Sequence, residues 1–126
     1  ILNWKDSLKF SARAGDFIAI YANEEQDEED ENGVLRRFWV AQAKQDINGD
    51  SSAHELHTIY YLEAIPGSEY TQFQFEGRRR GAQVKYDQMM GRVSYSSFDK
   101  KTNTLTISKV ERDTLSNIGH ELDNTE

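Results

Sequence analysis

The chain contains no cysteine, so disulfides and thiolate-ligated zinc are excluded as sources of stability. It contains one proline, Pro66, and eight glycines in 126 residues, too few of either for a collagenous or low-complexity chain. No run of 18 apolar residues occurs, which leaves no membrane-spanning helix. The N-terminal ILNWKDSLKF lacks the apolar centre of a signal peptide. It also lacks a starting Met, as expected of a piece of a longer protein. Positive charge is scarce: 15 Lys and Arg face 22 Asp and Glu, for a net charge of −7. Phosphate backbones demand clustered cations, so this balance suits a basic partner better than nucleic acid.

What is present is enough for one domain spanning 1–126. Hydrophobic residues make up 37% and aromatics 11%, which supports one modest core and argues against overall disorder. Seven of the negative charges lie within residues 24–31, EEQDEEDE, part of an acidic loop expected over 24–33 and closed by Asn32-Gly33. Such density of like charge predicts a solvated hairpin loop.

On either side the pattern is that of strands. Gly15-Asp16 is a turn pair leading into Phe17 to Tyr21, where alternation sets Ile18 and Ile20 on one face and Phe17, Ala19 and Tyr21 on the other. Further strands are expected over Leu35 to Lys44, Glu55 to Ala64 and the alternating Tyr70 to Phe75. Val84 to Tyr95 reads as strand, turn, strand, and Thr104 to Ile107 as a last strand. Ser108-x-x-Glu111 is a capping box that opens a short helix, with Val110, Leu115 and Ile118 on its inner side and a polar, frayed tail over 119–126. Short strands at steady spacing with turns between them predict an all-β fold, a small barrel or sandwich, and the closing short helix fits a barrel better.

Chemistry-bearing constellations are sparse. His54-x-x-His57 on a strand puts the imidazoles on opposite faces, and no third histidine lies near, so no metal site is expected. The acidic run lacks the alternation and central glycine of a calcium loop. No nucleophile elbow, phosphate loop or paired acid motif is present, and neither catalysis nor a cofactor is expected. Arg78, Arg79 and Arg80 form a basic block that could contact phosphate, with Tyr70, Phe73 and Phe75 beside it as stacking candidates. A solvated turn and a filled core are the plainer roles for the same residues.

One order of motifs stands out: Gly15-Asp16-Phe17-Ile18-Ala19-Ile20-Tyr21, then Phe38-Trp39-Val40-Ala41-Gln42-Ala43, then Thr58-Ile59-Tyr60-Tyr61. It resembles the Tudor-like members of the SH3-like barrel superfamily over about residues 14 to 62. The usual Asp-Tyr-Gly-like turn of that family is replaced by Leu62-Glu63-Ala64-Ile65. Met89-Met90-Gly91-Arg92-Val93 is similar to the Ile-x-Gly-Lys-Cys-x-Val segment of the bromo-adjacent homology (BAH) domain, a larger elaboration of the same barrel with extra strands. The resemblance implies a non-enzymatic, nuclear chromatin reader that binds a basic, methylated or unmethylated, histone-type peptide. It implies an aromatic cage of Tyr21, Trp39 and Tyr60, with Tyr61 as the alternative if the register shifts by one and Phe38 as a further member. Cation–π attraction in such a cage contributes roughly 0.5–2 kcal/mol per contact. Glu24, Glu25, Asp27 and Glu28 would draw in the rest of a basic tail. Two other roles remain open on the same residues: a nucleic-acid-binding accessory domain using Arg78 to Arg80, and a scaffold that packs against other domains of a parent chain. Core packing is the usual role of aromatic rings on the strands of a small barrel, and these rings fit it too.

Overall fold

The computed structural model describes residues 10–23, 25, 27–75 and 81–123. The fold is all-β with one C-terminal helix. Eight antiparallel strands form one open sheet: β1 (Phe17–Tyr21), β2 (Phe38–Ala43), β3 (Leu56–Ala64), β4 (Gln72–Phe75), β5 (Gly81–Lys85), β6 (Met89–Arg92), β7 (Ser97–Asp99) and β8 (Thr104–Thr106), followed by α1 (Lys109–Leu122). The order across the sheet is β6-β1-β2-β3-β4-β8-β7. Strand β3 is long enough to take two partners along one edge. Its first half, Leu56 to Tyr60, pairs with β5, and Leu62 to Ala64 pairs with β4. A single 3-10 turn, Tyr86–Gln88, links β5 to β6.

Both faces of the central strands are buried, and the pleat divides their side chains between two cores. Ile18, Ile20, Ala41, Ala43, Ile59, Val84, Tyr86 and Met89 pack on one face. Phe17, Ala19, Phe38, Val40, Leu62, Phe73, Phe75, Leu105 and Leu115 pack on the other. The alternation expected for β1 is thus the one observed. Strand β6 reaches both cores through a bulge: Ala19 pairs with Gly91 but Ile20 pairs with Met89, so Met90 is the extra residue. Gly91 sits at φ 141°, a region that side chains rarely adopt.

Several expectations need correction. Strand β2 begins at Phe38, not Leu35, because Arg37 is left-handed at φ 64°. Tyr70 is also left-handed, at φ 62°, so β4 starts at Gln72. Strand β7 has no strong signal in its short sequence, Ser97-Phe98-Asp99, yet it pairs with β8. The helix is 14 residues long and runs through Gly119 to Leu122, where a frayed tail was expected. Its inner side is Leu115, Ser116, Gly119 and Leu122, while Val110 is 76% exposed. Only half of the capping box forms. Ser108 Oγ accepts from Glu111 N, but the Glu111 carboxylate accepts from Ser94 N at 2.7 Å and ties the helix start to the chain after β6.

Candidate functional site

Residues 27–35, in the loop between β1 and β2, are folded as well as solvated, because the carboxylates of Asp27 and Asp30 are used within this connection. Asp30 Oδ1 accepts from the backbone N–H groups of Asn32 and Val34, and its Oδ2 accepts from Arg36 Nε at 2.9 Å. Burial works against the Asp30 carboxylate, but those two N–H groups and the Arg36 guanidinium together hold its pKa below the ordinary range. Asp27 Oδ2 accepts from Arg37 N at 2.8 Å. Glu29 and Leu35 form an isolated bridge. Arg36 and Arg37, a few residues past the acidic run, therefore offset the charge of Asp30 and Asp27 and with it part of the repulsion that sequence density suggests.

A carboxylate with a depressed folded pKa stabilises the fold above its unfolded pKa, about 3.9, and loses that contribution as pH falls through the folded value. Wild type is accordingly expected to be more stable than Asp30→Asn at neutral pH. The gap should close progressively as pH falls below about 4. Denaturant titrations at a series of pH values would check this, and a gap independent of pH would contradict it.

Beneath the loop lies a groove of about 540 Å³. The β2–β3 ladder runs from Ala43↔Ile59 to Val40↔Leu62, and the lining residues Trp39, Glu63 and Ala64 lie beyond its end. Residues 27–31 form one wall. Ile65, Pro66 and Tyr70, from the β3–β4 turn, form the other. Glu31 crosses between the walls, accepting from Gly67 N at 2.6 Å and Glu69 N at 3.0 Å. The carboxylates of Glu28 and Glu29 have no hydrogen bond or ion pair among the described residues. The groove thus combines an apolar floor with uncompensated negative charge at its rim.

The structure separates the rings expected in a cage. Tyr21 and Tyr60 pack against the core that contains Phe38, whereas Trp39 packs against the opposite core. The reason is the pleat: Tyr21 pairs with Phe38, and Trp39 points the other way. The Tyr21 hydroxyl donates to Asp123 at the end of α1. Tyr60 lies beneath Lys44, whose Nζ is 5.9 Å from the ring centroid. Phe38 is fully buried. Tyr61 is the ring that meets Trp39, edge to face with centroids 5.8 Å apart, and burial pushes its pKa up. Of the eight residues expected around Trp39, namely Tyr21, Phe38, Tyr60, Tyr61, Glu24, Glu25, Asp27 and Glu28, the groove lining includes Asp27 and Glu28. Glu25 is exposed and outside the lining. Glu24 and Arg78 to Arg80 lie outside the described residues.

Tyr70, Phe73 and Phe75 are not stacking surfaces. Phe73 and Phe75 are core residues. Tyr70 donates its hydroxyl to Phe38 O at 2.7 Å and stands edge-on to both Phe38 and Phe73. Its burial, followed by the nearby Asp27 charge, pushes its pKa far upward. Sequence reasoning missed Glu29, Asp30, Glu31, Ile65, Pro66 and Tyr70 as parts of one groove. The available signal was the run Leu62-Glu63-Ala64-Ile65 followed by Pro66, the single proline of the chain, all of which line the groove.

No family model, curated protein or solved structure matches the chain.

Proposed function

We propose that the protein is a non-enzymatic recognition module that binds a basic, histone-type peptide segment in the groove beneath its acidic loop. The observation that carries this is the pairing of a partly exposed Trp39 and apolar Leu62, Ile65 and Pro66 with the unpaired carboxylates of Glu28 and Glu29 in one cavity. A lysine or arginine side chain fits that chemistry. Its methylene stem lies along apolar surface while the cationic head meets carboxylates and the indole. Rim charge also speeds encounter with a cationic partner. Without Tyr21 and Tyr60 beside Trp39, methyl selectivity rests on Trp39 and the groove-lining Tyr70, with Tyr61 behind the indole.

An SH3-like barrel with BAH-like additions is the finer fold assignment we propose. Its support is the circuit β1-β2-β3-β5, a 3-10 turn, and β6 returning to pair with β1 around the core of Ile18, Ile20, Ile59, Val84 and Met89. Strands β4, β7 and β8 with α1 would be the additions. A nuclear, chromatin-associated role goes with that assignment.

Titration of methylated and unmethylated histone-tail peptides against wild type and Trp39→Ala tests the proposal. Wild type is expected to bind with an affinity that falls as salt rises. Trp39→Ala is expected to weaken binding by about 1–2 kcal/mol, the scale of a partly desolvated cation–π contact. Equal affinity of the two proteins would remove Trp39 from the site, and no binding by wild type would remove the site.

A further inference from the structure

We infer that helix α1 is the positioning element of the groove, with Arg112 and Asp123 holding its two walls from outside; the inference builds on reading that groove as a peptide site. No residue of α1 lines the cavity. Yet the helix reaches each wall by separate side chains. Toward the acidic wall, Asp123 Oδ2 takes Arg37 Nε at 2.8 Å, and Arg37 N in turn donates to Asp27. Arg36, which holds Asp30, also lies 3.8 Å from Asp113. His120 Nε2 is 2.9 Å from Leu35 O. Toward the turn wall, Arg112 donates to Glu69 O at 2.8 Å and Lys109 Nζ lies 3.3 Å from the Glu69 carboxylate.

Backbone conformation gives the helix something to hold. Arg37, Glu69 and Tyr70 are non-glycine residues at φ 64°, 55° and 62°. Each such residue is disfavoured by the contact between Cβ and the backbone, and it persists only where its surroundings over-determine it. Arg37 and Glu69 are the residues that α1 grips, one in each wall's supporting segment. Glu31 then links the walls through Gly67 N and Glu69 N. A helix that lets go of Arg37 and Glu69 releases two strained positions, and the spacing of Glu28, Glu29 and Trp39 relative to Ile65 and Pro66 goes with them.

Hydrogen exchange on wild type, Asp123→Asn, Arg112→Gln and the exposed-face control Asn117→Ala would test this, alongside binding of a synthetic Arg/Lys-rich peptide. In both positioning variants the amides of Val34, Arg37, Gly67 and Glu69 should exchange faster, with the β1–β2–β3 ladder unchanged. Peptide binding should weaken roughly two- to thirtyfold. Asn117→Ala should match wild type in both. Faster exchange at the walls with no peptide binding by wild type would uphold the positioning role while ending the peptide reading. Unchanged wall amides, or acceleration spread evenly over the whole sheet, would overturn the positioning role. Should Asp123→Asn fail to fold, Arg112→Gln decides, because it acts on the other wall and on an exposed contact.

Discussion

Gly119→Ala is expected to destabilise the protein by about 2–3 kcal/mol, the scale of forced overpacking. The sign is the informative part. In a helix interior, alanine ordinarily gains about 0.5–1 kcal/mol over glycine, because glycine loses more backbone freedom on folding. Here a Cβ on residue 119 would stand 2.6 Å from Arg37 Cβ and 2.7 Å from Arg37 O. The oxygen belongs to the backbone and cannot rotate aside, so the helix or the strained Arg37 must move. Denaturant unfolding of Gly119→Ala beside Thr114→Ala, an exposed position on the same helix, would separate local packing from propensity. A stabilised Gly119→Ala would mean that the close approach does not exist.

Arg37→Met should cost about 3 kcal/mol. Removing one member of a buried ion pair leaves the other charge desolvated, and that penalty exceeds whatever the pair contributed. The Arg37 side chain is 9% exposed and its partner Asp123 is 23% exposed, so the effect belongs at the lower end of the range for buried pairs. Asp123 also accepts from the Tyr21 hydroxyl, so its carboxylate keeps one partner when the guanidinium is gone. The loss is expected to vary little between low and moderate salt, since buried pairs are screened far less than surface ones. In a double-mutant cycle with Asp123→Asn, the second substitution should recover part of the loss. Strictly additive effects would show that the two side chains do not interact.

Much of the sheet was legible because its signals are local. The alternation Phe17-Ile18-Ala19-Ile20-Tyr21 dictates two faces whatever lies on them, and β-branched and aromatic density marks β3. Ser108 announced the helix start. What could not be read depends on contacts distant in sequence. Gly119 looks like a helix terminator until Arg37, 82 positions earlier, is brought against it. Tyr70 continues an alternating strand on paper, yet its hydroxyl is drawn to Phe38 O and the backbone turns left-handed. The cage failed for a simpler reason. Tyr21, Trp39 and Tyr60 were grouped by their order along successive strands, whereas register sets which face each ring occupies. Trp39 is one residue out of phase with Phe38, the true neighbour of Tyr21. The acidic loop is the largely exposed hairpin connection its charge implied, but counting charges could not show that Asp30 and Asp27 are held by Arg36 and Arg37, six and ten positions further on.

The bulge in β6 ties the two cores together. By slipping one position it lets adjacent methionines serve different interiors, Met89 one and Met90 the other. Thioether side chains adapt to irregular space, which suits a residue pair forced apart in this way. A strand shared so unevenly acts as a party wall: neither compartment can loosen there without disturbing its neighbour, and the two should melt together as one cooperative unit.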